Sequence, residues 1–256
     1  MNRIDMLFKQ KKNNILSVFY TAGFPQLDAS INIATLLEKD GADMLEIGIP
    51  YSDPLADGPV IQHSSSVAIE NGMTLQVLFE QLKDFRKQCN IPALLMGYMN
   101  PVLQYGFEKF CKECKNSGID GLILPDLPLD DFEKYQPLFK ENNLHVVFLI
   151  TPQTSSERIR KIDKLSTGFI YMVSSASTTG KSAGFSKEQI AYFKRIQKMK
   201  LQHPVLTGFG IYDSNTFAAA CAYSNGAIIG SHFLKLLEKH PKEKAVDVFF
   251  ESLGNR

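Results

Sequence analysis

The chain has 256 residues, 44% hydrophobic and 21% charged, and its 28 basic and 27 acidic side chains leave a formal net charge of +1. That length suits one large domain with a sizeable core, residues 1–256 as a unit, and a closed α/β barrel needs about 250 residues. The balanced charge and the lack of a long basic run argue against a nucleic-acid surface, and no stretch reaches the roughly 20 apolar residues of a membrane span.

The first twelve residues lack an apolar signal core and a small-residue cleavage site, so a cytoplasmic location is expected. Lys9-Gln-Lys-Lys12, the densest basic cluster, reads as the solvated end of an N-terminal helix. Eight short apolar runs follow: Ile15–Ala22, Ala42–Pro50, Pro92–Tyr98, Gly121–Leu127, His145–Thr151, Gly168–Ser174, Pro204–Gly210 and Gly226–Ser231. Most are almost continuously apolar, as parallel strands buried on both faces must be. Helical patterns separate them. Thr154-x-x-Glu157 and Ser186-x-x-Gln189 read as capping boxes, Asp130 and Asp213 as N-caps, and Gly41 and Gly118 as helix ends. The alternation predicts an α/β fold, a single (β/α)8 barrel with an extra N-terminal helix and extra helices in loops. More than 40 residues between the second and third runs leave room for such a helix. A doubly wound open sheet is the rival, and the absence of G-x-G-x-x-G after the first run weakens its dinucleotide-binding form.

The four cysteines include a CxxC at Cys111 and Cys114. Phe107, Phe110, Cys111 and Cys114 have the spacing of one buried helix face, and no second CxxC or nearby histidine accompanies them. Packing is therefore the reading, and no metal site is expected.

In the second run, Ala42-Asp-Met-Leu-Glu-Ile-Gly-Ile-Pro50, strand periodicity turns Leu45, Ile47 and Ile49 toward the helices and Met44, Glu46 and Gly48 into the barrel. A carboxylate in that interior is costly unless it is paired or working, and burial raises a carboxyl pKa toward the range useful for proton transfer. The next loop, Tyr51-Ser-Asp-Pro-Leu-Ala-Asp-Gly-Pro59, holds Asp53 and Asp57 between prolines that stiffen it. On spacing alone both aspartates read equally well as turn residues. The segment after the sixth run, from Ser174 to Phe185, has the small, polar, glycine-punctuated composition of a lid. At the seventh and eighth run ends, Gly208-Phe-Gly210 and Gly230-Ser231 let backbone N–H groups approach an anion, and a helix start follows Ser231. With Gly180 in the lid, these glycines point to a phosphorylated small molecule.

The stretch Leu45-Glu-Ile-Gly-Ile-Pro-Tyr-Ser-Asp-Pro-Leu-Ala-Asp-Gly-Pro-Val-Ile-Gln62 closely resembles the signature of the tryptophan synthase α chain family. The likeness extends to Phe19-Tyr-Thr-Ala-Gly-Phe-Pro25, Met99-Asn-Pro101, Leu124-Pro-Asp-Leu-Pro128, Thr179-Gly180, Gly208-Phe-Gly210 and Gly230-Ser231. The resemblance implies a TIM-barrel lyase that splits indole-3-glycerol phosphate into indole and D-glyceraldehyde 3-phosphate. It implies Glu46 and Asp57 as the catalytic carboxyls, Tyr171 beside the substrate, and Phe19 and Ile61 as walls of the indole pocket. It also implies Gly180, Phe209, Gly210, Gly230 and Ser231 at the phosphate, and Thr179 as the lid residue that meets Asp57. No cofactor is implied for this chain. The resemblance supplies a partner, a pyridoxal-phosphate β chain in an α2β2 assembly, docked through Pro50, Asn100, Asp126 and Pro128. One departure stands out: Ser177 and Thr178 replace the family's Gly-Val before Thr179. Two other readings compete, a different phosphate-binding barrel lyase or isomerase and a non-catalytic allosteric subunit. The long signature argues against the first, and intact Glu46 and Asp57 against the second.

Overall fold

The computed structural model describes residues 1–174 and 185–254. Among these, eight parallel strands close into a barrel in chain order: β1 Ile15–Thr21, β2 Met44–Gly48, β3 Ala93–Met96, β4 Gly121–Ile123, β5 His145–Ile150, β6 Ile170–Val173, β7 Val205–Gly208 and β8 Gly226–Ile229, with β8 pairing back to β1. Each strand lies within its predicted run but is shorter. Apolar residues such as Tyr98 and Leu127 continue past the last ladder pair into buried loop positions, so hydrophobicity does not mark where pairing stops.

The described helices are α1 Arg3–Gln10, α2 Ala29–Lys39, α3 Pro59–Glu70, α4 Leu75–Leu82, α5 Met99–Tyr105, α6 Phe107–Asn116, α7 Leu129–Glu141, α8 Ser156–Leu165, α9 Lys187–Lys198, α10 Ser214–Cys221, α11 Ser231–Lys239 and α12 Lys242–Leu253. The long β2–β3 connection holds two of them, α3 and α4, so the expected extra helix is present. None of the described helices is long and apolar enough to cross a membrane. Two helix starts differ from expectation. Ser155, not Thr154, caps α8 by accepting from the Arg158 N–H, while the Thr154 hydroxyl accepts from the Thr151 N–H. Asp130 lies inside the first turn of α7, whose N-cap is Pro128, and there it pairs with Lys161 at 3.0 Å. Thr-Ser and Pro-Leu-Asp strings each offer adjacent capping candidates, and tertiary position selects between them. The Ser186–Gln189 box and the Asp213 cap are present, and Gly41 and Gly118 take the positive φ expected after α2 and α6. Cys111 and Cys114 are buried on the apolar face of α6.

Two apolar clusters follow from strand alternation. Leu45, Ile47 and Ile49 of the β2 region join the larger one between sheet and helices, and Met44 joins the smaller one inside the barrel with Ile15, Leu94, Ile123, Val147 and Leu206. Ile4 and Phe8 of α1 belong to the interior cluster, so this helix stoppers the end where the strands begin. Asp120, at the foot of β4, anchors that end. Its buried carboxylate pairs with Arg86 at 2.6 Å and Arg3 at 3.1 Å and accepts the Ala93 N–H at 3.0 Å. Removing one member of such a pair strands the other in a poorly solvated place. Asp120→Ala is therefore expected to lower unfolding free energy by about 3 kcal/mol, measured by urea titration, with turnover per folded molecule unchanged because the opposite end of the barrel is untouched.

Candidate active site

The site is built at the strand C-termini, on β2. Glu46 has no exposed surface, as its inward position demands. It lies beside Phe19 of β1 and Leu94 of β3 in the ladder. Its Oε1 accepts a hydrogen bond from the buried Ser17 hydroxyl at 2.8 Å, and its Oε2 is buried with no partner. Burial pushes the Glu46 carboxyl up to about 8, against a smaller downward pull from Ser17. At neutral pH this side chain holds its proton.

Asp57 arrives by a different route. Its loop turns back through the Asp57 N–H to the Pro54 carbonyl, and the Gln62 amide donates to the Asp57 carbonyl. Gly58 and Pro59 then start α3, with proline at its first position, where a missing N–H costs nothing. Tyr98, just past β3, donates its hydroxyl to Asp57 Oδ2 at 3.0 Å and accepts the Ala56 N–H at 3.1 Å. Partial burial raises the Asp57 carboxyl to about 6, with the Tyr98 hydrogen bond opposing. Asp53, by contrast, is exposed, and the neighbouring Ser52 hydroxyl donates to it. Of the two loop aspartates, only Asp57 faces the cleft.

Phe19, Gly48, Asp57, Ile61, Met96 and Tyr98 line that cleft with Thr21, Ile49, Ser65, Gly97 and Pro125. Gly48 is required there, because an added Cβ would meet the Phe19 ring at 2.6 Å. Glu46 lies two residues below Gly48 on the same face, under the floor of the cleft. Tyr171 of β6 faces the same interior. Its phenol is pushed well up by burial, with the charges of Glu46 and Asp57 adding to the effect. Its ring meets Phe209 edge-on at 6.4 Å and fills the space that glycine leaves at Gly208.

Phe209 and Gly210 both adopt positive φ, 72° and 73°, a strained choice for a phenylalanine, and the Ser174 hydroxyl holds the Phe209 carbonyl at 2.8 Å. Gly230 precedes α11 without any side-chain cap, so no N-cap side chain takes up the first-turn N–H groups from Ser231 onward. Thr179 and Gly180, with Ser177 and Thr178, lie outside the described residues. Pro50, Asn100, Asp126 and Pro128 sit on the rim after β2, β3 and β4. Asp126 accepts the Met99 N–H at the start of α5, and Asn100 donates to the Tyr51 hydroxyl at 3.0 Å. Among the described residues no cluster of His, Cys, Asp and Glu is arranged to hold a metal ion.

Two partners of the acids, Ser17 and Tyr98, carry no motif. A signal for Ser17 exists in the sequence, since a hydroxyl at an inward position of an apolar strand needs a buried partner. Tyr98 has none, because its carboxylate partner is 41 positions away.

The tryptophan synthase alpha chain family model matches residues 6–253. A tryptophan synthase alpha chain of Phocaeicola vulgatus is 52% identical over 258 aligned positions, covering 100% of both chains. One of Flavobacterium psychrophilum is 56% identical over 241 positions, covering 94% of this chain and 95% of that one. The crystal structure of tryptophan synthase subunit alpha from Legionella pneumophila superposes with a TM-score of 0.88 at 31% identity, covering 99% of this chain and 97% of that one. With the family model spanning nearly the whole barrel and relatives above 50% identity over its length, the chain belongs to the tryptophan synthase alpha chain family.

Proposed function

We propose that this chain performs its family's reaction, retro-aldol cleavage of indole-3-glycerol phosphate to indole and D-glyceraldehyde 3-phosphate, with Glu46 and Asp57 as the working carboxyls. The observation that carries the assignment of roles is their contrast in setting. Glu46 is sealed from water with one oxygen unpartnered, whereas Asp57 is half-exposed at the cleft and held by Tyr98. Two carboxyls pushed to different pKa values divide acid and base work.

In the chemical sequence, the Glu46 carboxyl gives its proton to indole C3, and positive charge develops on the ring nitrogen. The Asp57 carboxylate stabilises that charge through the N–H. Glu46, now a carboxylate, takes the proton from the side-chain hydroxyl next to C3. The C–O bond becomes a carbonyl and the C–C bond breaks. Its electrons restore the aromatic ring, which neutralises the nitrogen. Indole and the aldehyde leave, and Glu46 again holds its proton. Phe19 and Ile61 wall the indole, and Tyr171 lies beside the substrate as a neutral phenol. Phe209, Gly210, Gly230 and Ser231 offer backbone donors and a helix dipole to the phosphate. Thr179 and Gly180 join this set by family resemblance.

The chain is read as one domain, supported by a family match that spans the whole barrel. A cytoplasmic location and pairing with a β chain are proposed with it. The β chain supplies pyridoxal phosphate, no cofactor being assigned to this chain, and docks at Pro50, Asn100, Asp126 and Pro128 in an α2β2 assembly. One solved relative at 27% identity is a tryptophan synthase of M. tuberculosis in an aminoacrylate-bound form, which supports that partnership.

Glu46→Gln keeps shape and neutrality but removes the exchangeable proton. It is expected to cut kcat by about 10²- to 10⁴-fold, with circular dichroism and melting temperature unchanged; near-normal turnover would remove Glu46 from this role. The pH dependence of kcat/KM is expected to be bell-shaped. Activity rises as Asp57 ionises through about 6 and falls as Glu46 loses its resting proton through about 8. Indole release by the chain alone, titrated with a tryptophan synthase β chain, is expected to rise to saturation. A flat titration contradicts the partnership.

A further inference from the structure

A polar side chain sits deeper in the barrel than any group the resemblance assigns. Ser17 is the third residue of β1, fully buried, and pairs in the ladder with Met44 on one side and Ile228 on the other. Met44 and Ile228 belong to the interior apolar cluster, as does Ile15, two residues before Ser17. A hydroxyl in such a place loses its hydration and keeps only what the fold gives it. Its hydrogen bond is to Glu46 Oε1 at 2.8 Å, and this is the hydrogen bond Glu46 makes among the described residues.

We propose that Ser17 is a positioning residue for the proton transfers, which binds Glu46 Oε1 and thereby reserves Oε2 as the oxygen that carries and delivers the proton. The inference rests on Glu46 being the proton-moving carboxyl. A carboxyl has two chemically equivalent oxygens, and a free one can hold its proton on either and turn about its terminal bond. A donor at one oxygen breaks that equivalence. The proton of a neutral carboxyl then belongs on the other oxygen, where no donor competes. The unpartnered oxygen is Oε2. After the first transfer the same hydroxyl remains a donor to the carboxylate, and hydrogen bonds to a charged acceptor are the stronger kind. Ser17 therefore stabilises the intermediate more than the resting state.

A neutral donor suits this task where a cation does not. A lysine or arginine at that position would ionise Glu46 at rest and leave no proton to give. The other groups around Glu46 are consistent with that economy of charge. β3 presents Leu94, and β6 presents the Tyr171 phenol, which senses the charges of Glu46 and of Asp57 beyond it.

The test compares Ser17→Ala, Ser17→Thr and Glu46→Gln with the unaltered chain, by indole release across pH together with melting temperature. Ser17→Ala is expected to lower kcat by about 10- to 100-fold while KM stays within about twofold. The falling limb of the pH profile is expected to move to higher pH, because a donor to the charged form has been removed. Ser17→Thr retains the hydroxyl and is expected to return both kcat and the limb toward their original values. An inactive Glu46→Gln beside a Ser17→Ala with unaltered kcat and unmoved limb overturns the role of Ser17 alone. An active Glu46→Gln overturns the reading of Glu46 and this inference with it. If Ser17→Ala loses its fold, Ser17→Cys keeps the volume with a weak S–H donor, and an unmoved limb there overturns the proposal.

Discussion

A carboxyl group enclosed by apolar side chains, with a single hydroxyl for company, keeps its proton at neutral pH because no solvent or counter-charge stabilises the anion. Glu46 is in that position, and the rest of the site is arranged around it. The barrel supplies the enclosure, since closure of eight parallel strands leaves Glu46, on the inward face of β2, fully buried. Gly48 above it leaves room for the Phe19 ring, which forms the floor of the cleft.

The two ends of the barrel treat acids in opposite ways. At the strand N-termini each buried or half-buried aspartate is fully engaged. Asp43 takes Lys11 and the Leu16 N–H; Asp120 takes Arg3, Arg86 and the Ala93 N–H; Asp163 takes the N–H groups of Gln202 and His203 and the His203 ring. These contacts join successive strands to their helices and serve stability. At the C-terminal end the Glu46 and Asp57 side chains meet, among the described residues, only neutral hydroxyls as hydrogen-bond donors, from Ser17 and Tyr98. Residue type alone does not separate the two groups. The separation lies in whether charge is met by charge, and unmet acids are where proton chemistry is available.

Much of this was legible in the sequence. Eight apolar runs and their helical spacers specify the barrel, because parallel strands buried on both faces leave a nearly continuous apolar trace. Alternation within Ala42–Pro50 placed Glu46 inward, and the structure agrees down to which neighbours share its face. Caps were less legible. Thr154 and Asp130 had the right chemistry one or two positions from the right place, and only packing chooses among adjacent candidates. Asp57 and Asp53 looked alike in their proline-rich loop. Tyr98, more than a strand and two helices away, distinguishes them by holding only Asp57. The same distance hides the link from rim to site: Asp126 holds the backbone at Met99, next to Tyr98, and Asn100 holds Tyr51, whose ring lies 5.3 Å from that of Tyr98.

In the proposed mechanism, hydroxyls in place of cations also set the order of events. An ion pair at Glu46 would bind the intermediate carboxylate more tightly, but it would also ionise the resting group, and the first step would have no proton source. A fully apolar pocket would keep the proton but resist forming the anion. Ser17 lies between these extremes, a donor strong enough to favour the anion when it forms and too weak to create it beforehand. Asp57 needs the reverse, a carboxylate already ionised as the ring gains charge, and its half-exposed place at the mouth of the cleft allows water to support that state. In the proposed mechanism depth in the barrel separates the two roles: the deeper acid gives the proton, and the shallower one meets the charge that follows.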